Sequence, residues 1–322
     1  MKKRKSRDEL ERDPKLIVPI AADDIFKVVF GTEENADITA YLVSLLLKIP
    51  YERVKGKIIF KDAKNYKHRT KEKKSEKDIV FLVDTSVPLK LNLEMNYKDS
   101  LEPEIIERNV YYLSNLFGSG LKTKNEYKNI VTTIQYNFNL DYVDKLGEEL
   151  IDEYVYRNQR GNVLTEKSKI VHMNIFEMSK LWYNGEYKKF KEISPILFGL
   201  SALILETDKE KFEKLVDSIK MNKTIKEQLE RIVMDLNIND ELVTKYYDLK
   251  EERKKLYDAI IERKVKEASE ESLKQGIEQG NLEKQREIVL NMHNKNMNYE
   301  DIAELTNLQV FEVKEIINNL KK

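Results

Sequence analysis

The chain has no cysteine and only three histidines, His68, His172 and His293, in 322 residues. The first absence excludes disulfides, zinc–thiolate sites and cysteine nucleophiles. The scatter of the histidines argues against a histidine-built metal centre or a catalytic triad. There are ten glycines and six prolines, while 35% of residues are charged. That balance is typical of a helix-rich soluble protein. Net charge is absent too, with 57 basic and 57 acidic residues. A nucleic-acid role therefore needs a local basic patch. No apolar run approaches the roughly 20 residues of a membrane span, so no membrane contact is expected. The opening M-K-K-R-K-S-R-D-E-L-E-R-D is basic but no apolar stretch follows it. A secretory leader is not expected, and a cytoplasmic location is.

What the chain does have centres on residues 78–97, D-I-V-F-L-V-D-T-S-V-P-L-K-L-N-L-E-M-N-Y. This reads as two strands joined by a turn at Asp84-Thr85-Ser86 before Pro88. The first strand, from Ile79 to Val83, is apolar enough to be buried on both faces. In the second, Leu89, Leu91, Leu93, Met95 and Tyr97 share one face, and Lys90, Asn92, Glu94 and Asn96 share the other. Antiparallel pairing returns Glu94 to the neighbourhood of Asp78. Two carboxylates converging at a sheet end repel each other unless a cation stands between them, and such oxygen donors suit Mg²⁺. The plainer reading of this pattern is a half-buried hairpin with a solvated charged face.

Helical spacing predicts a short helix over Asp23–Gly31, with Asp23 or Asp24 as N-cap, Gly31 as stop, and Phe26, Val29 and Phe30 as its apolar stripe. Thr32 is expected to cap a second helix to about Lys48. Val54–Phe60 reads as a strand. A helix follows the hairpin from about Pro103 to Lys122, with Ile105, Val110, Leu113, Leu116 and Phe117 inward. Ile130–Leu140 alternates as a further strand. Residues 61–77 carry eight basic side chains against three acids and end beside Asp78. Lys64, Lys67, Arg69, Lys71, Lys73, Lys74 and Lys77 are thus candidates for holding a nucleic-acid backbone, by contacts blind to sequence and sensitive to salt.

The order helix, three strands, helix, strand is that of an α/β, restriction-endonuclease-like core. The spacing D-(x15)-E-x-N from Asp78 to Asn96 resembles the D…(D/E)-x-K pattern of the PD-(D/E)XK nuclease superfamily. Further pieces follow in order. They are D-x-x-F-K-x-x-F-G at Asp23, Phe26, Lys27, Phe30 and Gly31, then Asp78-Ile79-Val80, then Leu93-Glu94-Met95-Asn96. After these come R-x-x-Y-Y at Arg108, Tyr111 and Tyr112, the strand Val131–Leu140, and H-M-N-I-F-E-M-S-K ending at Lys180. Together they resemble the Rpn family of recombination-promoting nucleases, also described as PD-(D/E)XK nuclease family transposases.

That resemblance implies a metal-dependent DNA endonuclease tied to recombination or mobile elements. It implies Asp78, Glu94 and the main-chain carbonyl of Met95 as ligands of Mg²⁺, with Mn²⁺ as a substitute. It implies Asn96 as the residue that orients water or meets phosphate, although the superfamily has Lys there and the family Gln. Asp23 is an accessory acid or an N-cap. Arg108 is a phosphate clamp or the salt-bridge partner of Glu104. DNA is the implied partner. Two other readings stay open: a catalytically weakened DNA-binding or assembly protein on the same fold, and an RNase or single-strand nuclease.

The expected organisation is a disordered basic tail (1–15), a nuclease-like domain (16–182), a helical region (183–275) and a C-terminal helical hairpin (276–322). Leu150–Arg157 and Lys169–Met178 read as sheet-extending strands with Trp182 at their exit. From Glu186 the spacing is helical to the end, a C-terminal extension offering a surface for homo-oligomers. Gly276 and Gly280 suggest close helix packing or a break. Asn298 with Asp301 resembles a capping box, and the last two helices resemble a helix-turn-helix.

Overall fold

The structure is a computed structural model that describes residues 15–61, 78–96, 104–119, 126–140 and 149–318. The expected tail, apart from Lys15, lies outside these residues. So do Tyr97, Pro103 and the basic run carrying Lys64, Lys67, Arg69, Lys71, Lys73, Lys74 and Lys77. Residues Met1–Arg253 form one compact unit and Lys254–Lys322 a second.

The first unit is built on a six-stranded sheet: β1 (Ile58–Lys61), β2 (Ile79–Val83), β3 (Leu89–Asn96), β4 (Thr132–Asn139), β5 (Ile151–Arg157) and β6 (Val163–Asn174). Their spatial order is β1-β2-β3-β4-β6-β5. β1, β2 and β3 pair antiparallel, β3–β4 and β4–β6 parallel, and β5 pairs antiparallel with β6 as an edge. The parallel step from β3 to β4 needs a crossover, supplied by α3 (Ile105–Gly118). This is the mixed α/β architecture expected, with a helical part after it.

The two faces of the sheet differ in chemistry. On one, Phe81, Leu91, Leu93, Tyr136, Phe138, Val171 and Met173 join the main apolar core with α1 (Asp23–Gly31) and α2 (Ala36–Leu46). Phe26 of α1 packs 5.1 Å from Phe30 and 5.6 Å from Phe138, ring centre to ring centre. The other face lies under α3 and is buried yet polar: Asn92, Glu94, Asn96, Thr133, Gln135, Asn137, Asn139 and His172 are all in the interior. The plainer reading of a solvated charged hairpin face is thereby overturned. A central strand flanked on both sides and covered above and below has no wet face.

Several local expectations need correction. Ala22, not an aspartate, precedes α1, and no side chain caps that helix. Asp23 and Asp24 occupy its first turn, where their charge favours the helix dipole. Thr32 Oγ1 donates back to the Val28 carbonyl at 3.0 Å instead of capping the next helix. A one-turn 3-10 segment over Glu33–Asn35 precedes α2. In α3 the inward stripe is Ile105, Asn109, Leu113 and Leu116 at helical spacing, and Val110 is exposed. β6 stops at Asn174, whose Oδ1 accepts from the Glu177 amide at 3.0 Å and starts α4 (Ile175–Tyr183). Residues 175–178 are therefore helix, and Trp182 lies within it. Ile175 and Met178 are buried one turn apart, a spacing that short apolar runs share between helix and strand.

The helices α5 (Pro195–Leu205), α6 (Lys209–Ser218) and α7 (Lys223–Leu236) complete this unit with the start of α8 (Asp240–Asn294). α5 is buried almost throughout. A Cβ on its Gly199 would stand 2.6 Å from Ile219 Cγ1, so only glycine permits this approach. α8 is continuous through Gly276 and Gly280, where an added Cβ would meet nothing within 4 Å. The helix does not break at these glycines, and no close approach within the described residues requires them. In the second unit, α9 (Tyr299–Thr306) and α10 (Val310–Asn318) close on the end of α8 around Val289, Ile302, Ala303, Val313 and Ile317. The expected cap is present: Asn298 Oδ1 accepts from the Asp301 amide at 2.7 Å. Among the described residues no helix is long and apolar enough to cross a membrane.

Candidate active site

The β2–β3 register places Ile79 opposite Leu93. Asp78, one residue before β2, therefore stands beside Glu94, as the alternation predicts. The Asp78 amide donates to Glu94 Oε1 at 3.4 Å, and the Met95 amide donates to Asp78 Oδ2 at 2.8 Å. In a strand a residue's N–H and C=O leave on the same side. The Met95 carbonyl thus faces the side on which Asp78 stands. Glu94 Oε1 also accepts from Asn92 Nδ2 at 2.7 Å.

Burial, then the charge of Asp23, pushes the Asp78 carboxyl up to about 6, although Lys27 and the Met95 amide pull the other way. Burial, then the charge of Asp78, raises Glu94 well above the ordinary carboxylate range. Two acids held together out of water, each resisting ionisation, form a donor set that a divalent cation relieves. Two carboxylates and a main-chain oxygen fit a hard ion such as Mg²⁺, which is held through few protein ligands and takes the rest from water and substrate phosphate. Among the described residues there is no group of three or more acidic or histidine side chains able to hold a metal.

α1 supplies a cation to the same spot. Lys27 Nζ lies 3.1 Å from Asp78 Oδ1 and 2.8 Å from Asp23 Oδ2. Burial lowers the proton affinity of Lys27, but Asp78 and Asp23 more than offset this, so its pKa is raised. Gly31 lets the end of α1 approach β2: a Cβ there would stand 3.1 Å from Ile79 Cγ1. Asp23 thus reaches the site through Lys27.

Asn96 is 1% exposed and engaged at both ends. Its Oδ1 accepts from Arg108 Nη2 at 3.0 Å, and its Nδ2 donates to Asn139 Oδ1 at 2.7 Å. The Arg108 guanidinium also lies 5.8 Å from the ring centre of Tyr112. Asn139 Nδ2 in turn stands 3.2 Å from His172 Nδ1, and burial lowers the His172 imidazole to about 4. The parallel β3–β4 register lays Asn92, Glu94 and Asn96 beside Gln135, Asn137 and Asn139. Gln135 Nε2 donates to Asn137 Oδ1 at 2.9 Å and to Asn109 Oδ1 at 3.4 Å.

Of the expected site residues, the fold brings together Asp78, Glu94, Met95, Asn96, Asp23 and Arg108. The seven basic residues from Lys64 to Lys77 lie outside the described residues. Sequence reasoning assigned no role to Lys27, Asn92, Asn139 or His172. The signal for the amide layer was present in I-Q-Y-N-F-N-L, where a polar side chain recurs at every second position of β4.

The family model for PD-(D/E)XK nuclease family transposases matches residues 21–242. The chain belongs to that family. The match extends from α1 through the sheet to the beginning of α8, and so includes the helices that follow β6. No curated protein and no solved structure gives a match. Membership in this nuclease family supports a nuclease, mobile-element role with DNA as the implied substrate.

Proposed function

We propose that this PD-(D/E)XK family protein is a Mg²⁺-dependent endonuclease that hydrolyses phosphodiester bonds in DNA, in recombination or in the movement of mobile elements. The observation that carries the reading is the convergence of Asp78 and Glu94 at one sheet end, with Glu94 buried and the Asp78 side chain only 12% exposed. Those two carboxylates and the Met95 carbonyl would hold the ion. A bound Mg²⁺ lowers the pKa of its water and stabilises charge on phosphate. Mn²⁺ would substitute, since it prefers the same oxygen donors.

Every other part is this chain's own. The Met95 amide fixes Asp78, and Asn92 fixes Glu94. Arg108 and Asn139 fix Asn96, whose carbonyl oxygen keeps a second lone pair able to accept from a water. Asp23 restrains Lys27 beside the acids. The basic segment ahead of Asp78 would hold the backbone of the nucleic acid.

The test is cleavage of supercoiled plasmid with Mg²⁺ and with EDTA, beside Asp78→Ala and Glu94→Ala. Metal-dependent nicking or linearisation, lost in both variants, is the expected result. Folded wild-type protein that binds duplex but cuts nothing with Mg²⁺ or Mn²⁺ would leave a weakened binding or assembly protein. The engagement of Asn96 at both ends favours that second reading, and Asn96→Gln and Asn96→Lys would test it. Faster cutting of single strands or RNA than of duplex would redirect the substrate assignment.

A further inference from the structure

The superfamily position for lysine is held here by Asn96, a buried amide occupied by Arg108 and Asn139. It carries no charge to present to a phosphate. The cation that does meet the acids comes from another element. Lys27 reaches Asp78 from α1, and its side chain is 38% exposed while that of Asp78 is 12% exposed. The ammonium is thus the more exposed member of the pair and is open to an incoming phosphate. Its position is set by the fold, because Phe26 and Phe30 on either side of it in α1 are fully buried. Lys90, a buried lysine on the polar face of the sheet, donates to the Leu116 carbonyl near the end of α3 and is committed there.

We propose that Lys27 is the substrate-contacting cation of this site, pairing with Asp78 until a phosphodiester arrives and then donating to a non-bridging oxygen of that phosphate. The proposal rests on the nuclease reading. Asp23 is the second half of the device: as an acid one helical turn away, it keeps the ammonium near the site when Asp78 lets go. An ammonium on a flexible stem can change partners in this way, since it is a point charge with three rotatable donors.

A structural ion pair would also place Lys27 against Asp78, so the test must separate holding Asp78 from touching substrate. Asp78→Asn removes the carboxylate charge and leaves Lys27 in place. Binding of a short labelled DNA duplex, measured by fluorescence anisotropy in EDTA, is then compared between Asp78→Asn and Asp78→Asn/Lys27→Met. The double variant is expected to bind about tenfold more weakly, the size of one charge-assisted hydrogen bond. Lys211→Met on α6 in the same background controls for lost charge and is expected to change little. Equal binding by the single and double variants would overturn the proposal.

In the otherwise native chain, Lys27→Met is expected to bind Mn²⁺ alone at least as tightly as wild type by calorimetry, because a competing cation is gone. It is expected to cut about 100-fold more slowly, with partial rescue by Lys27→Arg. Loss of Mn²⁺ binding along with cleavage would make Lys27 a holder of Asp78 and overturn its substrate role. Wild-type protein that neither binds Mn²⁺ nor cuts would overturn the nuclease reading as well. Wild-type activity retained by Lys27→Met would overturn the Lys27 proposal alone.

Discussion

The two faces of the central sheet use the same strands to opposite ends. Toward α1 and α2, β3 and β4 present Leu91, Leu93, Met95, Tyr136 and Phe138 to a continuous apolar core. Toward α3 the same strands present Asn92, Glu94, Asn96, Gln135, Asn137 and Asn139, equally buried. The first face gains stability from every methylene it removes from water. The second spends some of that stability. Among the described residues Asn92 Oδ1, Asn109 Nδ2 and Gln135 Oε1 have no hydrogen-bond partner, and two acids are held out of water. An unsatisfied buried polar group costs on the order of 1–3 kcal/mol. The difference teaches where the chemistry lies: one face makes the fold, and the other is held in place by it.

The largest effect is expected on the apolar face. Phe138→Ala removes a ring 1% exposed and packed on Phe26. It should lower unfolding free energy by about 3–5 kcal/mol in urea titrations. A loss under about 1 kcal/mol would mean that this face is not the foundation described.

The next effect tests the polar face through pH. The His172 pKa in the folded chain, about 4, lies below its ordinary value of 6.5. The unfolded chain therefore takes up the proton first, and this group's contribution makes stability fall as pH drops from about 6.5 toward 4. Its full size is about 3 kcal/mol. His172→Gln should remove that part, read as the difference between the two proteins' pH–stability curves. Parallel curves would show that the imidazole is not held neutral.

Gly199→Ala should cost about 1–3 kcal/mol in the same titrations, because the added methyl collides with Ile219. A neutral or stabilising result would mean that α5 and α6 separate easily. The smallest effect has the opposite sign. Glu94→Gln keeps an acceptor for Asn92 and removes a carboxylate whose pKa is raised in the fold. A raised carboxylate pKa loses stability as pH climbs from the unfolded value through the folded one. The variant should therefore gain about 1 kcal/mol near neutral pH while losing metal-dependent cleavage. Lower stability in Glu94→Gln would break the contrast between the faces.

Much of the site was legible because strands repeat every second residue. That period, with one antiparallel turn, is enough to bring Asp78 and Glu94 together and to put Asn96 on the same face. Lys27 lies 51 residues before Asp78 on a different element, so no local rule connects them. The misread stretch at 175–178 has a local cause: four residues with apolar side chains at Ile175, Phe176 and Met178 satisfy helix and strand alike, and the cap at Asn174 decides between them.

By itself the sequence determined which residues are apolar at strand and helix periods, and hence the order of elements, the acid pair and the family pattern along the chain. Only the tertiary structure decided that the polar face of β3 is dry, that Asn96 is spoken for by Arg108 and Asn139, and that Lys27 stands on Asp78. The reason is physical. Periodicity is a property of neighbours along the chain, whereas burial and pairing depend on what the crossover to β4 and the close approach of α1 at Gly31 bring from far away.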